Sequence, residues 1–271
     1  MNEVVIAVSF EPQPVLEGPR LMTSLNKILA KFPKVDELVP YDMPLEQPFE
    51  EQVFRPPAPP IQFISTPNLQ RRYWFTKEGP NAPLLLQIQS NYFAVNWRHQ
   101  EGELYPGFDR LNAEFDECFT SFQEVVDILG GPPLRAAQVE LTYINILQPD
   151  KLWGGIQDLH KVVNVTVPEM NSFEQFNLAY SQPVKTESGA FFGRLHTVVS
   201  SGFQPKAELE EFRPVRMADL VPVINILITA RSGKIAEGVP LRERFERAHD
   251  AVTKSFKSLT TEEARKNWGL L

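Results

Sequence analysis

Side chains that could carry acid–base, nucleophilic or metal chemistry are widely separated in this chain of 271 residues. The four histidines lie far apart, and no two have the spacing that places both imidazoles on one face of a helix (His99, His160, His196 and His249). The glycine-rich phosphate-binding motifs and the GxSxG nucleophile motif are also missing. We therefore expect no catalytic residues, no metal site and no cofactor.

Cys118 and three acidic neighbours are the strongest local candidates for reactive groups. Cys118 could act as a nucleophile with a distant histidine, but it follows Phe115 by three residues, which places the thiol on the buried side of a predicted helix. Glu114, Asp116 and Glu117 lie on the same predicted helix, where two carboxylates could bind a divalent cation. A solvated helix face is the simpler interpretation of these acids, and we expect structural roles for the whole group.

A set of polar residues on predicted strands is the candidate binding site. Their alternation with apolar residues places them on the sheet face opposite the helices. We call this set the polar face, and it consists of Gln87, Gln89, Tyr92, Asn96 and Arg98 in the first half and Gln175, Asn177, Arg194 and His196 in the second. A solvated sheet is the simpler explanation, but amides with arginine and an aromatic ring can recognise base edges, peptide groups or a polar ligand.

The elements that position the polar face follow from hydrophobic periodicity. In the first half, the pattern predicts a strand, a helix, a meander of four strands and a long amphipathic helix (4–10; 20–32; 61–65, 71–76, 84–89 and 92–98; 105–130). A two-residue turn at Ser90-Asn91 would pair Gln89 with Tyr92, so that both flanking strands turn their apolar residues to one face. The long helix would then cover that apolar face.

The second half predicts the same order of elements (strand 138–147, a weak helix at 155–162, strands 174–180, 191–199 and 221–230, helix 241–256, and a short helix from Thr260). An offset of 137 residues aligns the apolar positions of the two long helices, for example Phe108 with Phe245 and Phe115 with Val252. We therefore predict an α+β fold of two β-α-β(3–4)-α repeats, residues 1–135 and 136–271. Each repeat would be an antiparallel sheet covered by a long helix, in a saddle-like or helix-grip architecture.

Residues 33–60, which we call the acidic segment, interrupt this pattern. They contain eight prolines, which argues against a regular helix or an interior strand and predicts an extended course over the surface. Six acids between Lys34 and Arg55 have no basic neighbour in this stretch (Asp36, Glu37, Asp42, Glu46, Glu50 and Glu51). A surface segment without a special role is the simpler interpretation, and a docking segment for a basic partner is the functional one.

The overall charge and cysteine content limit the partners and the compartment. The formal net charge is −7, and the excess lies in residues 1–135, which hold 11 basic and 18 acidic residues against 16 of each in residues 136–271. An acidic chain repels nucleic acid over long range, although a local basic face would still bind it. The single cysteine excludes an internal disulfide, and no apolar stretch approaches the length of a membrane span. We expect a cytoplasmic protein that does not enter a membrane.

Three stretches carry a likeness to a known group: residues 87–89 with 93–98 (QIQ and FAVNWR), 105–109 (YPGFD) and 139–145 (VELTYIN). Over nearly its whole length the chain resembles a sporadically distributed bacterial family of similar length that has no assigned function. The patchy occurrence of that family implies horizontal transfer and a role in mobile-element or phage-defence operons. The order of elements also resembles the TATA-binding protein, in which two β-α-β4-α copies form a saddle.

These observations lead to one expected function and two alternatives. We expect a non-catalytic binding protein that engages a macromolecular partner, a protein in the first instance, with the oligomeric state left open. The first alternative is a nucleic-acid-binding saddle, which Arg98, Arg194 and the basic stretch Arg242, Arg244 and Arg247 favour. The second alternative is an enzyme or small-ligand sensor whose pocket lies between sheet and helix.

Overall fold

The computed structural model describes residues 1–17, 20–40, 46, 71–77, 82–100, 103–166, 174–206, 216–233 and 239–270. Within these ranges the chain is α+β, as predicted, with a large antiparallel sheet. Its strands are β1 Glu3–Phe10, β2 Lys34–Leu38, β3 Arg72–Thr76, β4 Leu84–Gln89, β5 Tyr92–Arg98, β6 Ala136–Leu147, β7 Asn177–Lys185, β8 Phe191–Pro205 and β9 Leu220–Ser232. The helices are α1 Arg20–Ser24, α2 Asn26–Lys31, α3 Phe108–Ile128, α4 Leu159–Val162, α5 Leu241–Leu259 and α6 Glu262–Asn267. The predicted strand 61–65 lies outside the described residues.

All nine strands belong to one open sheet, in the order β2-β3-β4-β5-β1-β6-β9-β8-β7. Strands β1 and β6 pair antiparallel at its centre, with Val4 opposite Tyr143 and Ile6 opposite Leu141. Because side chains alternate along a strand, this register turns both apolar rows to the same face. The long helices α3 and α5 pack on that face, and the rings of Phe115 and Phe245 meet between them at 5.0 Å. No helix in the described ranges is long and apolar enough to span a bilayer.

The predicted hairpin of β4 and β5 is confirmed in its register. Ser90 and Asn91 form the turn, Gln89 lies opposite Tyr92, and Gln87 lies opposite Ala94. The residues of β5 that alternate with these, Phe93 among them, enter the main core. Phe93 is fully buried and packs against three aromatic rings of α3, with centroids 5.0 to 5.5 Å away (Phe115, Phe119 and Phe122).

Helix α3 lies where the sequence predicts it, but it begins at Phe108, three residues after the predicted start, and ends at Ile128, shortly before the predicted end at Gly130. Gly107 precedes it with a φ of 91°, and Gly130 follows its last turn with a φ of 77°, a conformation that glycine adopts without steric cost. Cys118 lies on the buried side of the helix, and burial raises the pKa of its thiol to about 12. A thiol with so high a pKa carries almost no thiolate at neutral pH, which supports the structural role expected for Cys118.

Several boundaries differ from the prediction; the strand expected over 174–180, for example, is β7 at Asn177–Lys185. The helix expected over 20–32 is two short helices, because the chain leaves the helical conformation at the buried Leu25. Part of the acidic segment, Lys34–Leu38, forms the edge strand β2, a position that does not require pairing on both sides. The final helix is capped by Thr261 and not by Thr260, since the Thr261 hydroxyl accepts the Ala264 N–H at 3.1 Å.

The packing around Phe93 yields a test of the core. Phe93→Ala removes a ring that is fully buried between β5 and α3, so we expect the free energy of unfolding to fall by about 3–5 kcal/mol. The matched control is Phe203→Ala, because Phe203 lies on β8 with 54% of its surface exposed, and it should cost less than about 1 kcal/mol. Urea denaturation of both variants makes the comparison. Equal losses would show that the ring is not packed as described.

Candidate functional site

The first-half residues of the polar face are not exposed, contrary to the expectation of an open surface. Gln87, Gln89, Tyr92 and Asn96 are at most 7% exposed, and Arg98 is half-buried. The strands that carry them also place apolar residues on this face, where Val5, Ala7, Tyr92 and Ala94 form a second buried cluster. The signal was present in the uninterrupted apolar runs at 4–8 and 84–86, which are typical of strands buried on both faces.

A relay of hydrogen bonds explains how the buried amides are tolerated. Trp74 Nε1 donates to Gln87 Oε1 at 2.9 Å, and Gln87 Nε2 donates to Asn96 Oδ1 at 2.8 Å. Asn96 Nδ2 then donates to Glu3 Oε1 at 2.6 Å, so the relay crosses β3, β4, β5 and β1. Buried polar groups are stable when they are bonded in this way, because an unsatisfied group would retain its full desolvation cost. These side chains therefore bind one another.

Arg98 lies on the same face of the sheet, at the end of β5. It lies directly opposite Glu3 in the β1–β5 register, and its Nη2 donates to the Ala82 carbonyl oxygen at 2.8 Å. Burial lowers the pKa of Arg98, and the charge of Glu3 opposes that effect. The guanidinium is thus held by its own sheet.

In the second half, the residues of the polar face lie in two separate locations. Gln175, two residues before β7, and Asn177, its first residue, are exposed. Arg194 and His196 lie on β8 and meet a residue of the acidic segment, Glu46, which the sequence analysis did not place here. We call the resulting group the Glu46 cluster: Glu46, Gln138, Glu140, Arg194, His196 and Arg231.

The carboxylate of Glu46 is the centre of this cluster. Its Oε2 accepts from Arg194 Nε at 3.0 Å, and its Oε1 lies 2.6 Å from His196 Nε2 and 3.7 Å from Arg231 Nη1. Only 8% of the Glu46 side chain is exposed. Glu46 also donates its backbone N–H to Gln138 Oε1 at 2.7 Å. Both the backbone and the side chain of this residue are therefore held.

Strand register brings the charged residues of this cluster together. Glu140 lies opposite Arg231 in the β6–β9 pair, and Arg231 lies opposite Arg194 in the β9–β8 pair, so the three form a row across the sheet. Arg231 Nε donates to Glu140 Oε2 at 2.5 Å. Gly193 precedes Arg194 where β8 approaches β9 so closely that any β-carbon would overlap the Arg231 carbonyl oxygen. The absence of a side chain at Gly193 is thus required for this row.

The charges of the cluster favour ionised Glu46. Burial alone would raise the pKa of this carboxyl group, but hydrogen bonds from His196 and Arg194 and the charge of Arg231 outweigh it, so the pKa lies below its ordinary value. An anion is therefore the stable occupant of the space between Arg194, His196 and Arg231. Chemically, the arrangement can bind a carboxylate.

A second polar group lies on the helix-covered face, between α3, β6 and α5. Tyr143 Oη and His249 Nδ1 share a hydrogen bond of 2.8 Å, and the ring of His249 stacks on Phe108 with centroids 4.2 Å apart. Tyr105 Oη approaches Tyr143 Oη at 3.4 Å. Burial lowers the pKa of His249 and raises the pKa of both tyrosines. The three groups are thus neutral at physiological pH and serve as a hydrogen-bonded contact between the halves of the sheet.

The basic stretch of α5 does not extend the polar face. Helix α5 packs on the opposite side of the sheet from Arg194, and Arg244 is 2% exposed and donates to the Ala136 carbonyl oxygen at 3.0 Å. Arg242 and Arg247 form ion pairs one helical turn away, with Glu246 and Glu243 respectively. These arginines and Arg98 therefore do not form one continuous basic surface.

The other candidates were the acids of α3 and a pocket between sheet and helix. Lys31 pairs with Glu114 at 2.6 Å and with Glu117 at 3.1 Å, so these acids of α3 face solvent and α2. Phe115 and Phe119 fill the space between α3 and the sheet, where a helix-grip pocket would lie. An open cavity of about 720 Å³ lies beside the first turns of α3, and another of about 540 Å³ lies between α5 and the strands β7 and β8. In the part of the chain that the structure describes, no three His, Cys, Asp or Glu side chains are grouped as a metal site requires.

The Glu46 cluster predicts a specific dependence of stability on pH. Because the pKa of Glu46 is lower in the folded state, its ion pairs stabilise the fold above the ordinary value of 4.5 and lose this effect as the pH falls through the lower, folded value. Glu46→Gln should lower the free energy of unfolding by about 1–3 kcal/mol at neutral pH, and this difference should shrink in acid. Urea denaturation from neutral to acidic pH measures it.

The control for Glu46→Gln is Glu124→Gln, which removes one partner of the exposed ion pair between Glu124 and Lys27. This change should cost less than about 0.5 kcal/mol. If Glu46→Gln is no more damaging than the control, the carboxylate does not stabilise the cluster.

His249 predicts a pH dependence in a higher range. Its lowered pKa means that folding favours the neutral ring, so this stabilisation is complete above the ordinary value of 6.5 and is lost as the pH falls through the lower, folded value. His249→Phe, which keeps an aromatic ring against Phe108, should remove this part of the pH dependence. Thermal unfolding in buffers on both sides of that range tests it, with His160→Phe at an exposed position as the control.

Two features of this chain therefore stand out once the buried relay is set aside: a carboxylate-binding cluster on β6, β8 and β9, and the exposed strand β7 beside it. The His196 side chain joins them, since its Nδ1 lies 2.8 Å from Ser181 Oγ on β7. No protein-family model, curated protein or solved structure matches the chain.

Proposed function

We propose that this chain is a non-catalytic binding protein, and that its partner is a protein segment that pairs with strand β7 as an additional strand. The observation that carries the proposal is the exposure of β7. Seven of its nine residues are exposed, and within the described ranges β8 is its only neighbouring strand. An edge strand offers backbone N–H and C=O groups to an extended peptide, which is a common mode of protein recognition.

The two edge strands of the sheet differ in their protection against pairing with an additional strand. Strand β2 is short and carries Lys34, Asp36 and Glu37 among its five residues, a composition typical of protected edges. In β7, the six residues from Asn177 to Gln182 contain neither a charge nor a proline. The edge at β7 is therefore the one suited to accept another strand.

Pro183 indicates which backbone groups of β7 point outward. Proline occurs in an edge strand where its missing N–H would face away from the neighbouring strand. Since alternate residues share a direction, Ala179 and Ser181 should also direct their N–H groups to the open side. The register with β8 is uninterrupted from Asn177 to Pro183, so this alternation holds along the exposed stretch.

A protein other than a second copy of this chain is the proposed partner. Two copies would each bring a formal net charge of −7, and this charge opposes their association. The proposed setting, a cytoplasmic bacterial phage-defence or mobile-element system, is supported by the family resemblance alone. Nucleic acid is the less favoured alternative, because the arginines that would contact it bind within the chain.

We also infer that the chain arose by duplication of one β-α-β(n)-α unit, with a saddle-like sheet. From the central pair outward, the strand orders are β1-β5-β4-β3-β2 and β6-β9-β8-β7, so each half pairs its first strand with its last. Glu3 faces Arg98 in one half, and Glu140 faces Arg231 in the other. The offset between the two glutamates is 137 residues, the same as that which aligns the long helices.

Blocking the outward N–H groups tests the proposed function. Ala179→Pro removes one such group and should weaken the complex by at least about tenfold, whereas Ala179→Val keeps the N–H and should bind as the wild type does. The complex is sought by co-purification with the products of the adjacent genes and quantified on a sizing column. Equal complex formation by the two variants, or no complex at all, would refute the proposal, and a dimer of the chain alone that Ala179→Pro abolishes would identify a second copy instead.

A further inference from the structure

We propose that the Glu46 cluster is a recognition site for an acidic residue of a polypeptide, and that Glu46 occupies this site within its own chain. The ligand class is an extended peptide segment with a glutamate or aspartate side chain. The inference rests on the proposed function only in that the ligand is a polypeptide, and it does not require pairing at β7.

The site contacts both the backbone and the side chain of its occupant. Gln138, which is 1% exposed, accepts the backbone N–H of Glu46, while Arg194 and His196 bind the two carboxylate oxygens. Gly233 lies beside the Glu46 backbone, because a β-carbon there would be 3.3 Å from the Glu46 carbonyl oxygen and 2.7 Å from the Phe191 ring. A site for a free anion would need only the cations, so these contacts favour an amino-acid residue in a chain.

The charge of the site also favours an acidic ligand. Arg231 already binds Glu140 within the sheet, whereas Arg194 and His196 receive their carboxylate from a residue 148 and 150 positions away. In the corresponding row of the first half, Glu3 faces Arg98, and the next position is Pro83, whose carbonyl oxygen accepts the Arg98 N–H. The second half thus carries additional positive charge on β8, which an acidic ligand neutralises.

Exchange of Glu46 for another carboxylate changes the free energy little. Two buried charges lose much of their attraction to desolvation, so the net stabilisation from a buried ion pair is small. An incoming carboxylate that takes the place of Glu46 makes the same bonds, and the cations remain paired throughout. Access is also available, because the His196 side chain is 29% exposed next to the exposed Ser181 of β7.

The experiment uses the full-length chain and a blocked, fluorescent heptapeptide with the sequence of residues 43–49, MPLEQPF, whose one acidic residue corresponds to Glu46. Fluorescence anisotropy measures its binding to the wild type, to Glu46→Ala and to Glu46→Ala combined with Arg194→Gln. We expect Glu46→Ala to bind at least about tenfold more tightly than the wild type, because the tethered residue competes at a high effective concentration. The double variant should lose this gain.

Matched controls define the specificity. A heptapeptide with glutamine in place of its glutamate should bind Glu46→Ala at least about tenfold more weakly, because the charged hydrogen bonds are missing. Glu37→Ala removes another acid of the same segment, one in an exposed pair with Arg71, and should bind like the wild type. Thermal unfolding verifies that each variant is folded, and Glu46→Gln replaces Glu46→Ala if the latter is not.

Several results would overturn the inference. Equal binding by the wild type and the Glu46 variant, or equal binding of the two peptides, would show that the cluster only anchors its own segment. Displacement of the peptide by inorganic phosphate as readily as by N-acetylglutamate methylamide would identify a general anion site. Since β7 is unchanged in all these variants, a negative result here leaves the test with Ala179→Pro unaffected, and the converse also holds.

Discussion

The antiparallel pairing of β1 with β6 determines the arrangement of nearly everything else in this protein. Each residue of β1 from Glu3 to Ser9 has a defined partner on β6, and side chains alternate between the faces of the sheet. A shift of β6 by one residue relative to β1 would replace its apolar row with Glu140 and Thr142 on the helix-covered side. The correct register therefore sets both the site at which α3 and α5 pack and the face on which the charged rows lie.

The opposite face obeys a second constraint, which is that buried polar groups must be bonded. In the first half this requirement is met by an amide relay that ends at Glu3. In the second half it is met by ion pairs around a carboxylate that comes from outside the sheet. The two arrangements differ in their consequences, because amides can satisfy one another, whereas the guanidinium of Arg194 on β8 requires an anion. The dependence on Glu46 is thus a property of one half alone.

These features favour recognition by contact. Cys118 is buried and Glu114 and Glu117 pair with Lys31, whereas seven of the nine residues of β7 are exposed. The carboxylate cluster lies one strand inward from that edge and is joined to it through His196 and Ser181. The proposed peptide site at the edge and the proposed acidic-residue site in the cluster would therefore be neighbours, each with its own chemistry.

The sequence by itself determined the features that depend on local periodicity. The alternation around Ser90-Asn91 was sufficient for the register of β4 and β5, and the spacing from Phe108 was sufficient for helix α3 and its buried side. The nomination of Arg194 and His196 followed from the same alternation. Only the tertiary structure decided what these residues contact, because the bond from Glu46 to His196 joins positions 150 residues apart and leaves no periodic signal. It also decided that Gln87 and Asn96 are buried, since alternation assigns a residue to a face of a sheet but does not determine whether that face is covered.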